Sequence, residues 1–194
     1  PNRQGIARAM TKGAGFVGFQ GHGNPVSWNN IWHDGEYPDD WIGGIMIYDF
    51  WRIQNARKLP VVIVGGCHNG QYNVSIIPSM RDKEGANYWS YGMPAPVCFS
   101  WGLIVKPFGG AIASTGCTGY GVGFQGMPVS LSGELESNFY WQVGMNDAET
   151  LGEAHSLSIQ KFILENDISA IEAFVITNWA VFGDPSMPFG GYSS

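Results

Sequence analysis

Three short runs in the chain are almost uninterruptedly apolar: residues 14–20, 59–66 and 108–114. They are too short for amphipathic helices and lack polar alternation, which is the pattern of strands buried on both faces. Pro60 fits only at the start of the second run. Between and after them lies helical spacing. Residues 3–12 put Ile6, Ala9 and Met10 on one side and stop at Gly13. Residues 47–55 and 97–105 predict short helices, and 130–143 an amphipathic one with Leu131, Leu135 and Phe139 four apart. Thr150, with Glu153 three residues on, is a capping box that opens a helix over 150–165. Asp167 is the expected cap of a last helix running to Phe182, before Gly183-Asp184-Pro185. Residues 21–40 and the glycine-rich 115–128 read as loops, and 73–96 as an irregular insertion with a charged turn at 81–85. Strands alternating with helices predict an α/β fold, a mostly parallel sheet covered by helices on both faces. No internal repeat or linker divides residues 1–194, so one domain is expected.

Composition narrows the partners. Of the 194 residues 44% are hydrophobic and only 13% charged, which excludes a disordered chain. The net charge of −6 and the lack of a basic patch argue against nucleic acid. No apolar run reaches the ~20 residues of a membrane span. Low charge and many aromatics favour an extracellular, secreted protein. Asn73-Val74-Ser75 has the form of a glycosylation sequon. The chain opens at Pro1, with neither Met nor signal peptide, and reads as a processed chain or an excised piece. Three cysteines leave two arrangements open: one disulfide, between Cys98 and Cys117, with one free thiol, or three thiols.

The candidate chemistry stands where two of the strands stop. The first ends on Gly21-His22-Gly23 and the second on Gly65-Gly66-Cys67-His68-Asn69-Gly70. Ligands of open α/β sheets bind beyond the carboxyl ends of the strands. Neighbouring strands are ~5 Å apart, so His22 and Cys67 can face one reacting carbonyl. A thiol with an ordinary pKa near ~8.5 needs an imidazole beside it to attack at neutral pH. The same histidine can protonate a leaving amine. The Gly23 and Cys67 amides are the candidate oxyanion donors.

These residues carry a resemblance. Gly21-His22-Gly23 with Trp28 six residues past the histidine is followed by the run from Pro60 to Cys67-His68-Asn69-Gly70. Then come Val97-Cys98-Phe99, residues 108–115 and Phe182-Gly183-Asp184-Pro185-Ser186. In this order the blocks resemble the gingipain family of cysteine peptidases. The resemblance implies a caspase-like fold, a His22/Cys67 dyad, the Gly23 and Cys67 oxyanion hole, and cleavage of a protein or peptide after a basic residue. It also implies strands before the histidine strand that this chain lacks; either an N-terminal partner chain from the same precursor supplies them, or the molecule does without them. In the family the acid that orients the histidine and the acid of the specificity pocket come from that earlier segment. If an orienting acid is local instead, Asp34, Glu36, Asp39 and Asp40 are the candidates.

The remaining chemistry-bearing residues have plainer readings. His68 points away from its neighbour Cys67 and lines the pocket. Tyr120 and Phe124, in the loop after the third strand, could stack on substrate. His33 is a surface histidine without a second metal ligand at a fixed spacing, and His155 is a packed helix residue. No metal site is expected for catalysis. Structural calcium at the acidic residues 34–40 is the one cofactor left open, without EF-hand spacing. Two alternatives accompany the peptidase: a non-catalytic binding or scaffold module on the same fold, and a transpeptidase in which an amine replaces water.

Overall fold

The computed structural model describes residues 2–32, 40–77, 90, 93–127 and 129–190. In chain order the elements are α1 (Arg3–Lys12), β1 (Phe16–Phe19), β2 (His22–Asn24), β3 (Ser27–Trp32) and β4 (Asp40–Met46). A 3-10 helix (Ile47–Arg52), β5 (Val61–Val64), α2 (Phe99–Val105) and β6 (Ala113–Cys117) follow. The chain closes with α3 (Ser132–Met145), α4 (Leu151–Glu165), α5 (Ala170–Asn178) and β7 (Trp179–Phe182).

The main sheet has the order β1-β5-β6-β7. Its first three strands are parallel and β7 is antiparallel to β6. All four residues of β5 are buried, and alternate residues serve opposite faces. Val61 and Ile63 join Leu135, Phe139, Leu151 and Phe162 from α3 and α4. Val62 and Val64 join Ile6 and Met10 of α1, Phe50 of the 3-10 helix, and Phe99 and Leu103 of α2. The sheet therefore carries helices on both faces, as the unbroken apolar runs require. The aromatic residues of the α1 side meet edge to face: Phe19 on Phe99 at 5.5 Å and Phe50 on Phe99 at 5.0 Å.

The first helix has the expected bounds. Asn2 caps it through Gly5 N–H at 2.9 Å. Its buried face is Ile6, Ala7 and Met10, whereas Ala9 is exposed. The cap of α4 is Thr150, as read from sequence, while Glu153 bonds the N–H of Glu149. The cap of α5 is Ser169 rather than Asp167, closed by Glu172.

Three expectations fail because contacts with partners distant in sequence decide where strands begin and pair. The first concerns residues 21–40. Asn24 Oδ1 accepts from Val26 N at 2.8 Å and Ser27 N at 3.0 Å, folding the chain back so that β2 and β3 pair antiparallel. With β4 they form a second, three-stranded sheet instead of a loop. The second concerns residues 108–114. Phe108, Gly109 and Gly110 have φ of 60°, 157° and 98°, a left-handed turn. Asn55 clamps it, accepting from Gly110 N at 2.8 Å and donating to Gly110 O at 3.0 Å. A Cβ on Gly110 would lie 2.0 Å from Leu103 O, so the strand starts only at Ala113 and extends through Cys117. Finally, the last helix stops at Asn178. The free edge of β6 takes residues 179–182 as β7.

The Gly183-Asp184-Pro185 segment is a turn, as expected. Gly183 has φ 128° and Asp184 Oδ1 accepts from Ser186 N at 2.9 Å. Pro185 O receives the N–H of Gly152 at 2.8 Å, seating the turn on the first residues of α4. No helix among the described residues is long and apolar enough to cross a membrane.

Candidate active site

Cys67 lies three residues beyond the last residue of β5, in a turn tied down on two sides. His68 N donates to Gly119 O at 2.6 Å and Gly70 N to Cys117 O at 2.9 Å, both just past or at the end of β6. Ser100 N, in the first turn of α2, donates to Asn69 O at 3.0 Å. His68 is left-handed at φ 56°, which turns the chain sharply after the cysteine. Cys67 itself is half-buried, and its thiol donates to Gly121 O at 3.5 Å.

His22 is exposed and opens β2, three residues after β1 ends at Phe19. It thus belongs to the hairpin and not to the main sheet. Because β1 and β5 are parallel neighbours, paired Phe19 to Val64, both chains leave the sheet at the same end. Their glycines then meet. A Cβ on Gly66 would come within 3.0 Å of Gly23 Cα, so main chain packs on main chain between His22 and Cys67. Asn69 fills the remaining gap. Fully buried, it donates through Nδ2 to Asn24 O at 2.6 Å and Ser27 O at 2.8 Å. A Cβ on either Gly23 or Gly66 would lie 2.1 Å from its Oδ1.

The opposite side of the same strand end holds an acid. Glu136 of α3 is 1% exposed, and neither carboxylate oxygen has a hydrogen-bond partner among the described residues. Its Oε1 would be 2.3 Å from a Cβ on Gly65, with Gln20 Oε1 at 3.1 Å from the same point. Desolvation pushes the Glu136 pKa up to about 8, so the group is mostly protonated at neutral pH. Cys117 stands close by in β6. Burial first, then the charges of Glu136 and Cys67, push its thiol up to about 12. Burial likewise raises Cys98. All three cysteines are free, so no Cys98–Cys117 disulfide forms. Cys67 alone among them is not fully buried.

The segment after β6 runs beside the thiol. Gly121 packs so tightly that a Cβ there would lie 2.5 Å from Gly65 O. Tyr120 and Phe124 are about half exposed. Ser130 Oγ anchors the segment, accepting from Phe124 N and donating to Met127 O, both at 2.9 Å. His68 is buried, with its ring edge to face on Tyr120 at 4.9 Å and Nδ1 at 3.0 Å from Gln71 Oε1. Burial lowers its pKa against the opposing pull of Gln71. It therefore supports Tyr120 from beneath. His155 stacks on Trp179 at 4.7 Å, half-buried, with its pKa lowered by burial.

The structure gathers Gly23, Gly66 and Asn69 between His22 and Cys67, and Tyr120 beside them. Of the other site expectations, His33, Asp34, Glu36 and Asp39 lie outside the described residues. Asp40 begins β4. Among the described residues no cluster of His, Cys, Asp and Glu could hold a metal ion. Sequence reading gave no role to Asn69 or Glu136. The signal for Glu136 was present: it falls between Leu135 and Phe139, on the apolar stripe of α3. Asn69 carried no such signal, since its partners are main-chain carbonyls 42 and 45 residues away.

A mostly parallel sheet, helices on both faces and a cysteine turn at the strand ends define the caspase-like fold of the gingipains. The sequence profile of Peptidase family C25 matches residues 2–190, and the chain belongs to that family. The structure is similar to that of the Arg-specific cysteine proteinase gingipain R (RgpB), with a TM-score of 0.66 at 17% identity over 97% of this chain. It is also similar to the complex of the RgpB pro- and mature domains of Porphyromonas gingivalis, with a TM-score of 0.61 at 18% identity over 95%. The chain spans 36% of each of those solved chains. No curated protein matches the sequence.

Proposed function

We propose that this chain carries the reacting residues of a gingipain-like cysteine endopeptidase that acts outside the cell. Cys67 is the nucleophile and His22 its acid and base. As thiolate, Cys67 adds to the scissile carbonyl carbon. The Gly23 and Cys67 N–H groups take the negative oxygen. The tetrahedral adduct collapses by breaking the C–N bond, and His22 gives its proton to the departing amine. Water, deprotonated by His22, then adds to the thioester. The C–S bond breaks and thiolate returns.

The observation that supports this reading is the main-chain contact of Gly23 with Gly66, the residues next to His22 and Cys67, beyond the ends of parallel strands. Membership of the C25 family supports it. Cleavage after a basic residue is the family's expectation, supported by the Arg specificity of gingipain R. A partner segment from the same precursor would supply the pocket acid, and Tyr120 and Phe124 would flank the substrate. Structural calcium would bind at the acidic residues around 34–40.

The test is covalent labelling by peptidyl chloromethyl ketones with Arg, Lys or an apolar residue at the reacting end, applied to the longest native form that contains this chain. An adduct mapped to Cys67 by mass spectrometry, lost in His22→Ala, is the expected result. Faster labelling by the Arg and Lys reagents supports the basic preference. No Cys67 adduct with any reagent would overturn the peptidase and leave a scaffold module. Peptide ligation to an added amine in place of hydrolysis would identify a transpeptidase.

A further inference from the structure

We infer that Asn69 is the positioning residue that sets His22 against Cys67. The inference rests on the peptidase reading of those two residues. His22 is the exposed first residue of a hairpin of the smaller sheet whose residues 24–28 are buried, whereas Cys67 lies in a turn fixed to the main sheet. Nothing in the β1–β5 pairing fixes the position of that hairpin, because the pairing ends at Phe19 and Val64. Asn69 joins the two bodies. Its main chain belongs to the cysteine turn, through Asn69 N to Gly66 O at 3.4 Å and Ser100 N to Asn69 O at 3.0 Å. Its side chain belongs to the hairpin, donating both amide hydrogens to the carbonyls of Asn24 and Ser27.

Those two carbonyls flank the tight turn that Asn24 Oδ1 closes from within. Asn69 therefore grips the hairpin where it is stiffest, two residues beyond His22. Full burial removes competing water, which strengthens both bonds and makes the loss of either donor costly. The glycines complete the grip. Gly23 and Gly66 both lie against Oδ1 at a distance that admits no side chain. Asparagine suits the position because only a primary amide offers two donors and a planar acceptor edge in this volume. Aspartate has the same shape but presents an oxygen to each carbonyl.

The experiment is a double-mutant cycle on the longest native form, read as the rate of Cys67 alkylation by a chloromethyl ketone and by iodoacetamide from pH 5 to 10. Rates are taken per folded molecule, with folding checked by near-ultraviolet circular dichroism. His22→Ala should slow labelling and leave a single ionisation, that of an isolated thiol. Asn69→Ala and Asn69→Asp should slow it by about 10- to 100-fold, the effect of misplacing a reacting group by ~1 Å. Both should shift the pH profile towards that of His22→Ala. Adding Asn69→Ala to His22→Ala should cost nothing further, since the partner it positions is gone.

A normal rate and pH profile in Asn69→Ala would overturn the inference, as would an additive loss in the double variant. If His22→Ala leaves Cys67 labelling unchanged, the dyad itself fails. Should the Asn69 variants not fold, the unmodified protein decides by NMR. The Asn69 side-chain NH2 resonances should exchange slowly with solvent and shift as His22 titrates. Fast exchange, or no response to His22, would overturn the assignment.

Discussion

Gly65 and Gly66 end the same strand and face opposite sides of the sheet, and each makes room for one buried polar side chain. On the side of Gly66 stands Asn69, whose amide hydrogens are both bonded. On the side of Gly65 stands Glu136, whose two oxygens have no partner among the described residues. The first arrangement links two bodies with both desolvated donors matched to carbonyls, and only Asn69 Oδ1 lacks a hydrogen-bond partner among the described residues. The second is unfavourable: a buried carboxyl without donors must hold its proton or remain charged in an apolar setting. The contrast separates the joint that fixes geometry from the acid that a stability optimum would omit. Unfavourable groups of this kind concentrate at functional sites.

The largest effects should come from what the two faces share. Phe99→Ala on the α1 side and Phe139→Ala on the α3 side each remove a fully buried ring. Each should destabilise by about 3–5 kcal/mol, read from urea midpoints at constant m-value. A much smaller loss for one would mean that its cluster is not part of the same cooperative unit. Asn69→Asp comes next, with about 1–3 kcal/mol lost because two buried carbonyls lose their donors. An unchanged midpoint would show that the joint is not formed in solution.

Glu136→Gln should act in the other direction. The unfolded carboxyl titrates near 4.5 and the folded one near about 8. Between these values the native state keeps a proton that the unfolded state has released. Stability must therefore fall as pH rises through that window, with a slope of at most about 1.4 kcal/mol per pH unit. Below pH 4.5 the penalty is absent, and above 8 it is complete. The glutamine variant should accordingly melt higher than the parent at pH 8 and alike at pH 4, as measured by calorimetry. Parallel pH curves would show that Glu136 has found a donor. The smallest effect belongs to Thr150→Ala, a cap far from both groups: about 1 kcal/mol at every pH.

Much of the fold was legible because it depends on local patterns. Helix α1, the cap of α4, the buried strand β5 and the Cys67 turn follow from apolar period, the threonine cap at Thr150 and paired glycines. What was misread depends on distant partners. Residues 27–32 read as loop until β4 supplies their other edge. Residues 179–182 read as helix until β6 offers its own. Ala7 instead of Ala9 faces inward because the direction of the core, and not the period, sets which side of a helix is buried.

The site divides in the same way. Sequence by itself determined the family, and it singled out His22 and Cys67, each announced by glycines at the close of an apolar run, as the pair proposed to react. The tertiary structure alone decided that His22 rides on a separate hairpin, that Asn69 joins that hairpin to the cysteine turn, and that Glu136 lies buried behind Gly65. The physical reason is range. A motif records which groups leave the ends of strands, because turn chemistry acts over a few residues. Which buried polar atoms meet, and which are left without partners, is fixed by packing between segments dozens of residues apart.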